Sequence, residues 1–256
     1  MYPQSFKLLV RLYPYVLLVI VCELIFGPFK SYIQTFGGEL FYDILIDSRF
    51  LRYNAAYLLT LLAEALLIFK ASEQILNVKN TVDIRWARQF GYFAVIWLLF
   101  HIPVLLQQVP YYIASMSNEV ASKQDSIATG VNIFLFMLPI VILLFFLEYF
   151  LFGTWFPAIV DNKRGGLGTA FARGKQTFLF VMWRFLAGPT VLLITMSVLL
   201  YINSAVARYA TDWQLLVPVT IVGILLDIFY CWILVMTAWI LSKAYLKTKI
   251  VPEEGS

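Results

Sequence analysis

The sequence predicts an all-α fold: a polytopic transmembrane bundle of about six helices, with short amphipathic helices at the membrane interface. Of its 256 residues, 61% are hydrophobic and 13% are charged, whereas soluble domains are about 45–50% apolar and about 25% charged. Six apolar runs are long enough to cross a bilayer core, which takes about 20 helical residues. Aromatic residues make up 17% of the chain, which suits aromatic belts at both membrane surfaces.

These runs define a single domain over residues 1–246, followed by a polar cytoplasmic tail over residues 247–256. The predicted spans cover residues 13–29, 53–69, 90–109, 130–152, 178–201 and 213–241. Four prolines lie within spans, where each frees a backbone carbonyl group and permits a kink. They are Pro103, Pro139, Pro189 and Pro218.

The distribution of Lys and Arg predicts the orientation. Alternate segments, beginning with the N-terminus, hold 13 of these residues, whereas the intervening loops hold five. Because positive residues favour the cytoplasmic side, both termini are predicted to be cytoplasmic. Because the Lys and Arg residues cluster in these segments, we interpret the net charge of +4 as a result of membrane topology and of contact with anionic lipid headgroups. We do not interpret it as a sign of nucleic-acid binding.

Two segments between spans have helical periodicity. Residues 36–51 carry apolar residues on one side and Glu39, Asp43 and Asp47 on another, which predicts an amphipathic helix on the outer surface. The carboxylate row is either a solvated face or a site for a cation or basic partner. The cytoplasmic stretch 70–88 has a similar pattern with basic residues.

Each predicted span contains one ionisable residue, and such residues are costly inside a membrane. We expect them to form a polar track that crosses the bundle, with His101 paired to Asp227 and Glu148 paired to Arg184. The track serves either as a proton, ion or substrate pathway or as a set of structural ion pairs. Its residues are Glu23, Glu64, His101, Glu148, Arg184 and Asp227.

A glycine-rich basic elbow is predicted at the cytoplasmic surface, between the fourth and fifth spans. It is either a tight interfacial turn or a cradle for a phosphate or lipid headgroup. A short amphipathic helix is expected to follow it, before the fifth span. The elbow residues are Lys163, Arg164, Gly165, Gly166, Arg173 and Lys175.

The segment around this elbow resembles a family of membrane proteins. The pattern consists of Pro157, Val160, Asp161, Lys163, Gly165 or Gly166, and Ala170. It is similar to that of the YciC-type bacterial six-span inner-membrane proteins, which are uncharacterised, and of the membrane domain beside some glycerophosphodiester phosphodiesterases. The resemblance implies a multi-pass protein of the bacterial inner membrane and implies little chemistry.

Several function classes remain open at this point. One His, no metal-binding motif and no catalytic constellation argue against an enzyme, a metal site or a cofactor. We expect a scaffold or accessory subunit of a larger membrane assembly, which contacts other membrane subunits or a second copy of itself. The alternative is a transporter or lipid-handling protein that uses the buried polar track.

Overall fold

The regular structure is helical throughout the part of the chain that the computed structural model describes, as the sequence predicts. The described residues are 1–36, 48–78, 84–101, 143–144, 147–163, 166–208 and 213–250. The α-helices are α1 Tyr2–Arg11, α2 Tyr13–Phe36, α3 Ser48–Leu76, α4 Ile84–Leu99, α5 Trp155–Val160, α6 Leu167–Ala187, α7 Pro189–Arg208 and α8 Trp213–Ile250. A π-helical turn covers Glu148–Phe152.

Two of the described helical stretches, Leu167–Leu199 and Ile221–Thr248, are long and apolar enough to cross a membrane. The pair Tyr2–Arg11 and Tyr13–Leu24 passes the same test together, although the two helices are bent by 80°. These stretches overlap the predicted fifth, sixth and first spans. The second predicted span, residues 53–69, lies inside the uninterrupted helix α3. The total of six spans stays a prediction.

Several expectations fall outside the described residues. They concern most of the outer amphipathic segment 36–51, residues 79–83 of the cytoplasmic stretch, and much of the third and fourth spans. Pro103 and Pro139 belong to the same undescribed regions, as do residues 251–256 of the tail. Helix α8 extends as far as Ile250, beyond the predicted start of that tail.

Helix α8 is the element against which most of the fold packs. It contacts α1, α2, α3, α5, α6 and α7. Its 38 residues correspond to about 57 Å at about 1.5 Å per residue, whereas a bilayer core is roughly 30 Å thick. Helix α8 is therefore longer than one membrane crossing requires.

Helix α1 is amphipathic and docks against the bundle through its N-terminal end. Its buried side chains are Ser5, Leu8 and Leu9. The indole Nε1 of Trp232 donates a hydrogen bond to Ser5 Oγ at 3.0 Å. Because α1 bends away from α2 by 80°, it lies close to the membrane plane if α2 runs along the membrane normal.

The fifth span is broken between α6 and α7, where Gly188 precedes Pro189. Proline has no N–H group and cannot continue the helical hydrogen-bond ladder. The hydroxyl of Tyr2 donates a 2.6 Å hydrogen bond to the carbonyl of Ala187, the last residue of α6. Helix α1 therefore satisfies a backbone group that this break releases.

The segment after the elbow differs from the expected short helix. It continues without interruption into α6, which runs from Leu167 to Ala187. Gly174 explains how α6 packs, because a Cβ atom at this position would overlap the backbone carbonyl of Leu151 in the π-helical turn. The two backbones touch where a glycine leaves room.

We therefore expect Gly174→Ala to destabilise the protein by about 1–3 kcal/mol, since overpacking forces backbone shifts. Gly168→Ala is the matched control on the same helix, because a Cβ atom there would meet nothing within 4 Å. Unfolding in detergent micelles measures both variants. Equal stabilities for the two variants would contradict the close approach.

Two helices end in the same type of cap. Asn77 follows α3 with φ of 56°, and Asn162 follows α5 with φ of 55°. After each, the next residue donates its N–H to the carbonyl five positions earlier: Val78 to Glu73 and Lys163 to Ala158, both at 3.0 Å. This is the Schellman arrangement, which favours Gly or Asn at the left-handed position.

Asn162→Ala is expected to cost about 1 kcal/mol, because alanine is strained in the left-handed conformation. Asn162→Gly is the matched variant that removes the same side chain without the strain, and we expect it to be as stable as the wild type. Thermal unfolding of the two variants side by side tests this. Equal losses would assign the effect to the side chain instead.

Candidate functional site

A buried contact between a histidine and a glutamate lies where α3 meets the end of α4. His101 Nε2 is 4.0 Å from Glu64 Oε2, and the two residues are 9% and 3% exposed. His101 Nδ1 is 2.8 Å from the carbonyl oxygen of Trp97. Because a carbonyl only accepts, Nδ1 carries the proton and donates it, and Nε2 faces the carboxylate.

Tyrosines from two other elements border this pair. Tyr230 on α8 forms a side-chain hydrogen bond with Glu64. Tyr149, in the π-helical turn, is 4% exposed and lies within electrostatic range of Glu64 and Tyr230. Its ring packs edge-on against Phe100, with centroids 5.6 Å apart. The carboxylate of Glu64 is thus enclosed by aromatic side chains from separate helices.

Three more carboxylates belong to the same neighbourhood. Glu23 and Asp227, together with Glu64, exert electrostatic influence on Cys231, and Glu148 does so on Tyr149 beside Glu64. Glu148 Oε2 is buried and has no hydrogen-bond partner among the described residues. We call this set the acidic centre: Glu23, Glu64, His101, Glu148 and Asp227.

The π-helical turn Glu148–Phe152 helps to place Glu148 and Tyr149. A π-helical turn contains one residue more than an α-helical turn, so it rotates the side chains that precede it relative to those that follow. Tyr149 and Phe150 are buried, and both rings pack against Phe185 on α6. The π-helical turn therefore places Glu148 and Tyr149 beside the acidic centre.

The sixth residue of the predicted track lies elsewhere. The Arg184 guanidinium Cζ is 3.9 Å from the ring centroid of Phe180 and 5.5 Å from that of Trp239. The expected Glu148–Arg184 pair is not formed between these two described residues. A long cationic side chain can direct its charge along the helix toward the surface, and stacking on aromatic rings stabilises it there.

The expected His101–Asp227 pair is also replaced. Both residues are described, and His101 contacts Glu64 rather than Asp227. The similar depths of His101 and Asp227 along their helices predicted that they would pair, but depth does not determine which way a helix is rotated. Five of the six predicted residues belong to the acidic centre as defined above, and the polar track across the bundle stays a prediction.

The elbow is held by contacts with α8. Tyr245 donates a 2.7 Å hydrogen bond to Asp161 Oδ2. Arg173 Cζ lies 5.3 Å from the Tyr245 ring, and Lys175 Nζ lies 4.6 Å from the Phe171 ring.

Helix α6 begins after its N-cap residue, Gly166, while Arg164 and Gly165 lie outside the described residues. Arg173 Nε and Nη2 are buried without a described hydrogen-bond acceptor. The predicted headgroup cradle at the elbow stays a prediction.

No group of three or more His, Cys, Asp or Glu residues is arranged to hold a metal ion within the described residues. The chemistry that the acidic centre permits is proton exchange, because the His101 imidazole and the Glu64 carboxylate face each other.

Comparisons with known proteins return no match. No protein-family model matches the chain, and neither do curated proteins or solved structures. The resemblance to the YciC-type proteins therefore stays a prediction, and the function has to be inferred from the chain itself.

Sequence reasoning missed two residues of this region, Tyr149 and Tyr230. The chain contains 15 tyrosines, most of which suit membrane interfaces, so residue type did not distinguish these two. Tyr149 directly follows Glu148, but adjacent positions on a helix normally face different directions. Only the packing of the helices reveals the role of these tyrosines.

We expect Tyr230→Phe to lower stability by about 0.5–2 kcal/mol, because it removes the hydroxyl that bonds to the buried Glu64. Tyr13→Phe is the matched control, since Tyr13 is 64% exposed. Unfolding in micelles, followed through the reactivity of the two free cysteines, measures both variants. A loss that is equal in both variants would show that the hydrogen bond contributes nothing specific.

Proposed function

We propose that the protein is a membrane transport protein. In this proposal, the acidic centre binds a proton or a small cation at one step of its passage across the membrane. The observation that supports this proposal is the composition of the centre. His101 Nε2 faces the Glu64 carboxylate, and the carboxylates of Glu23, Glu148 and Asp227 lie within electrostatic range of residues beside this pair.

Neighbouring carboxylates in a low-dielectric region have a physical consequence. They are not easily ionised together, because each charge is poorly solvated and repels the others. Such a centre therefore favours the binding of protons or of a cation.

His101 and Glu64 are the residues to which we assign proton exchange. Nδ1 of His101 is committed to the Trp97 carbonyl, so Nε2 is the nitrogen that gains or loses a proton. It faces Glu64 across 4.0 Å. Closure of this gap by a small helix movement, or one water molecule between the two groups, provides the transfer path.

The proposal includes a topology and a location. We propose six spans with both termini in the cytoplasm, in a multi-pass protein of a bacterial inner membrane. It has no catalytic activity of its own in this proposal. The support is the asymmetry of positive residues in the sequence and the candidate membrane-crossing helices of the structure.

The test is electrical recording from proteoliposomes on a solid support during a pH jump. We expect the wild type to give a transient charge displacement as the centre binds or releases protons. The double variant Glu64→Gln/Asp227→Asn should lose this signal, because amides of the same shape do not titrate. A parallel sodium jump at constant pH distinguishes protons from other cations.

The matched control is Glu73→Gln, which removes a carboxylate paired with Lys70 outside the centre. It should retain the wild-type signal. A displacement in the double variant as large as that of the wild type would refute the proposal, and so would a wild-type response equal to that of protein-free liposomes.

The second candidate function is an accessory subunit of a larger membrane assembly. It is favoured by an apolar ridge on α6, where Leu179 and Trp183 are each 71% exposed and Leu186 is 43% exposed. A photoreactive residue in place of Trp183 separates the two functions. One defined protein adduct in the native membrane would support an accessory role, whereas adducts with lipid alone would exclude it at this ridge.

A further inference from the structure

A polar groove separate from the acidic centre lies between the α1–α2 corner and the end of α3. Its volume is about 540 Å³, within the range of roughly 300–1,000 Å³ that is usual for small-molecule sites. Arg11 and Tyr15 line one side. Lys70, Glu73, Gln74 and Asn77 line the other.

The charges in this groove do not cancel. Lys70 Nζ and Glu73 Oε2 form a 2.7 Å ion pair, so these two charges neutralise each other. Lys70 Nζ also lies 4.8 Å from the ring centroid of Trp86. Arg11 is exposed and makes no ion pair with a described residue. Among the described residues that line the groove, the Arg11 guanidinium is therefore the one positive charge without an ion-pair partner.

The α3 side of the groove is held rigidly. The Schellman cap at Asn77 fixes the backbone from Glu73 to Val78 through two hydrogen bonds. The Lys70–Glu73 pair and the Trp86 ring fix the lysine head. The amide side chains of Gln74 and Asn77 are exposed at this edge, where they can donate and accept hydrogen bonds.

The surroundings of the groove are those of a lipid headgroup region. Helix α1 carries exposed Phe6 and Val10 beside the basic residues, as amphipathic interfacial helices do. Helix α2, which starts beside the groove, exposes Tyr13, Leu17 and Val21 on another of its faces. These residues recur every four positions, so they form one apolar stripe suited to contact with lipid.

We propose that this groove binds the headgroup of a phospholipid of the phosphatidylglycerol class. Such a headgroup carries one negative charge and free hydroxyl groups. The guanidinium of Arg11 suits two oxygens of a phosphodiester. One negative charge balances the one free positive charge. The hydroxyl groups of the lipid can form hydrogen bonds with Gln74, Asn77 and Tyr15, whose side chains offer both donors and acceptors.

A zwitterionic headgroup fits less well. Its ammonium group would need a carboxylate, and the carboxylate of Glu73 is already paired with Lys70. Phosphatidylethanolamine is therefore the discriminating competitor, because it has the same phosphodiester without the net charge. Inorganic phosphate is the second competitor, because it offers the anion without the acyl chains or hydroxyls.

Native mass spectrometry of the full-length chain in detergent, titrated with dioleoyl phosphatidylglycerol, tests the proposal. Arg11→Gln should weaken binding by about tenfold or more, which corresponds to about 1.4 kcal/mol. Lys7→Gln is the matched control, because Lys7 is an exposed cation on the same helix that does not line the groove. It should bind the lipid as the wild type does.

Asn77→Gly provides a second variant whose folding is protected, since glycine preserves the left-handed cap while the amide is removed. We expect weaker binding with an unchanged melting temperature. Equal affinity of the wild type and Arg11→Gln would overturn the proposal, as would equal losses in Arg11→Gln and Lys7→Gln. Phosphatidylethanolamine binding as tight as phosphatidylglycerol, or displacement of the lipid by inorganic phosphate, would overturn the assigned headgroup.

Discussion

The fold depends on one constraint: backbone polar groups at helix ends need partners inside the protein, because hydrocarbon offers none. The Gly188–Pro189 break exposes the C-terminal end of α6, and Tyr2 donates a hydrogen bond to the Ala187 carbonyl there. The same tyrosine belongs to α1, whose position depends also on Ser5 and Trp232. The helix break is thus one of the contacts that position the N-terminal helix.

The same constraint acts on charged side chains, with different results for bases and acids. Arg184 and Lys247 both direct their charge to the face of Phe180, at 3.9 and 4.0 Å from its centroid. Long flexible stems allow this movement. Glu64 has a short side chain and cannot escape, so it relies on His101 and Tyr230. Longer side chains therefore allow Arg184 and Lys247 to reach an aromatic face, whereas Glu64 stays buried.

Hydropathy predicts the helical class, and the asymmetry of Lys and Arg predicts the orientation. Each signal is summed over many residues, so single exceptions do not matter. The partners of His101 and Arg184 depend on helix rotation, which depth along a span does not specify. The break at Pro189 was predictable, since proline cannot continue the hydrogen-bond ladder. The sequence does not predict the caps at Asn77 and Asn162, because asparagine also occurs in many ordinary turns.

In the proposed transport function, the positions of charged side chains affect a cation on its way to the acidic centre. Basic side chains repel cations and attract anions, whereas carboxylates do the opposite. Anionic lipid phosphates near Arg184 and Lys247 would neutralise these two positive charges. The electrostatic barrier to the acidic centre would then be lower. Surface lipid and buried carboxylates would then act as parts of one electrostatic path.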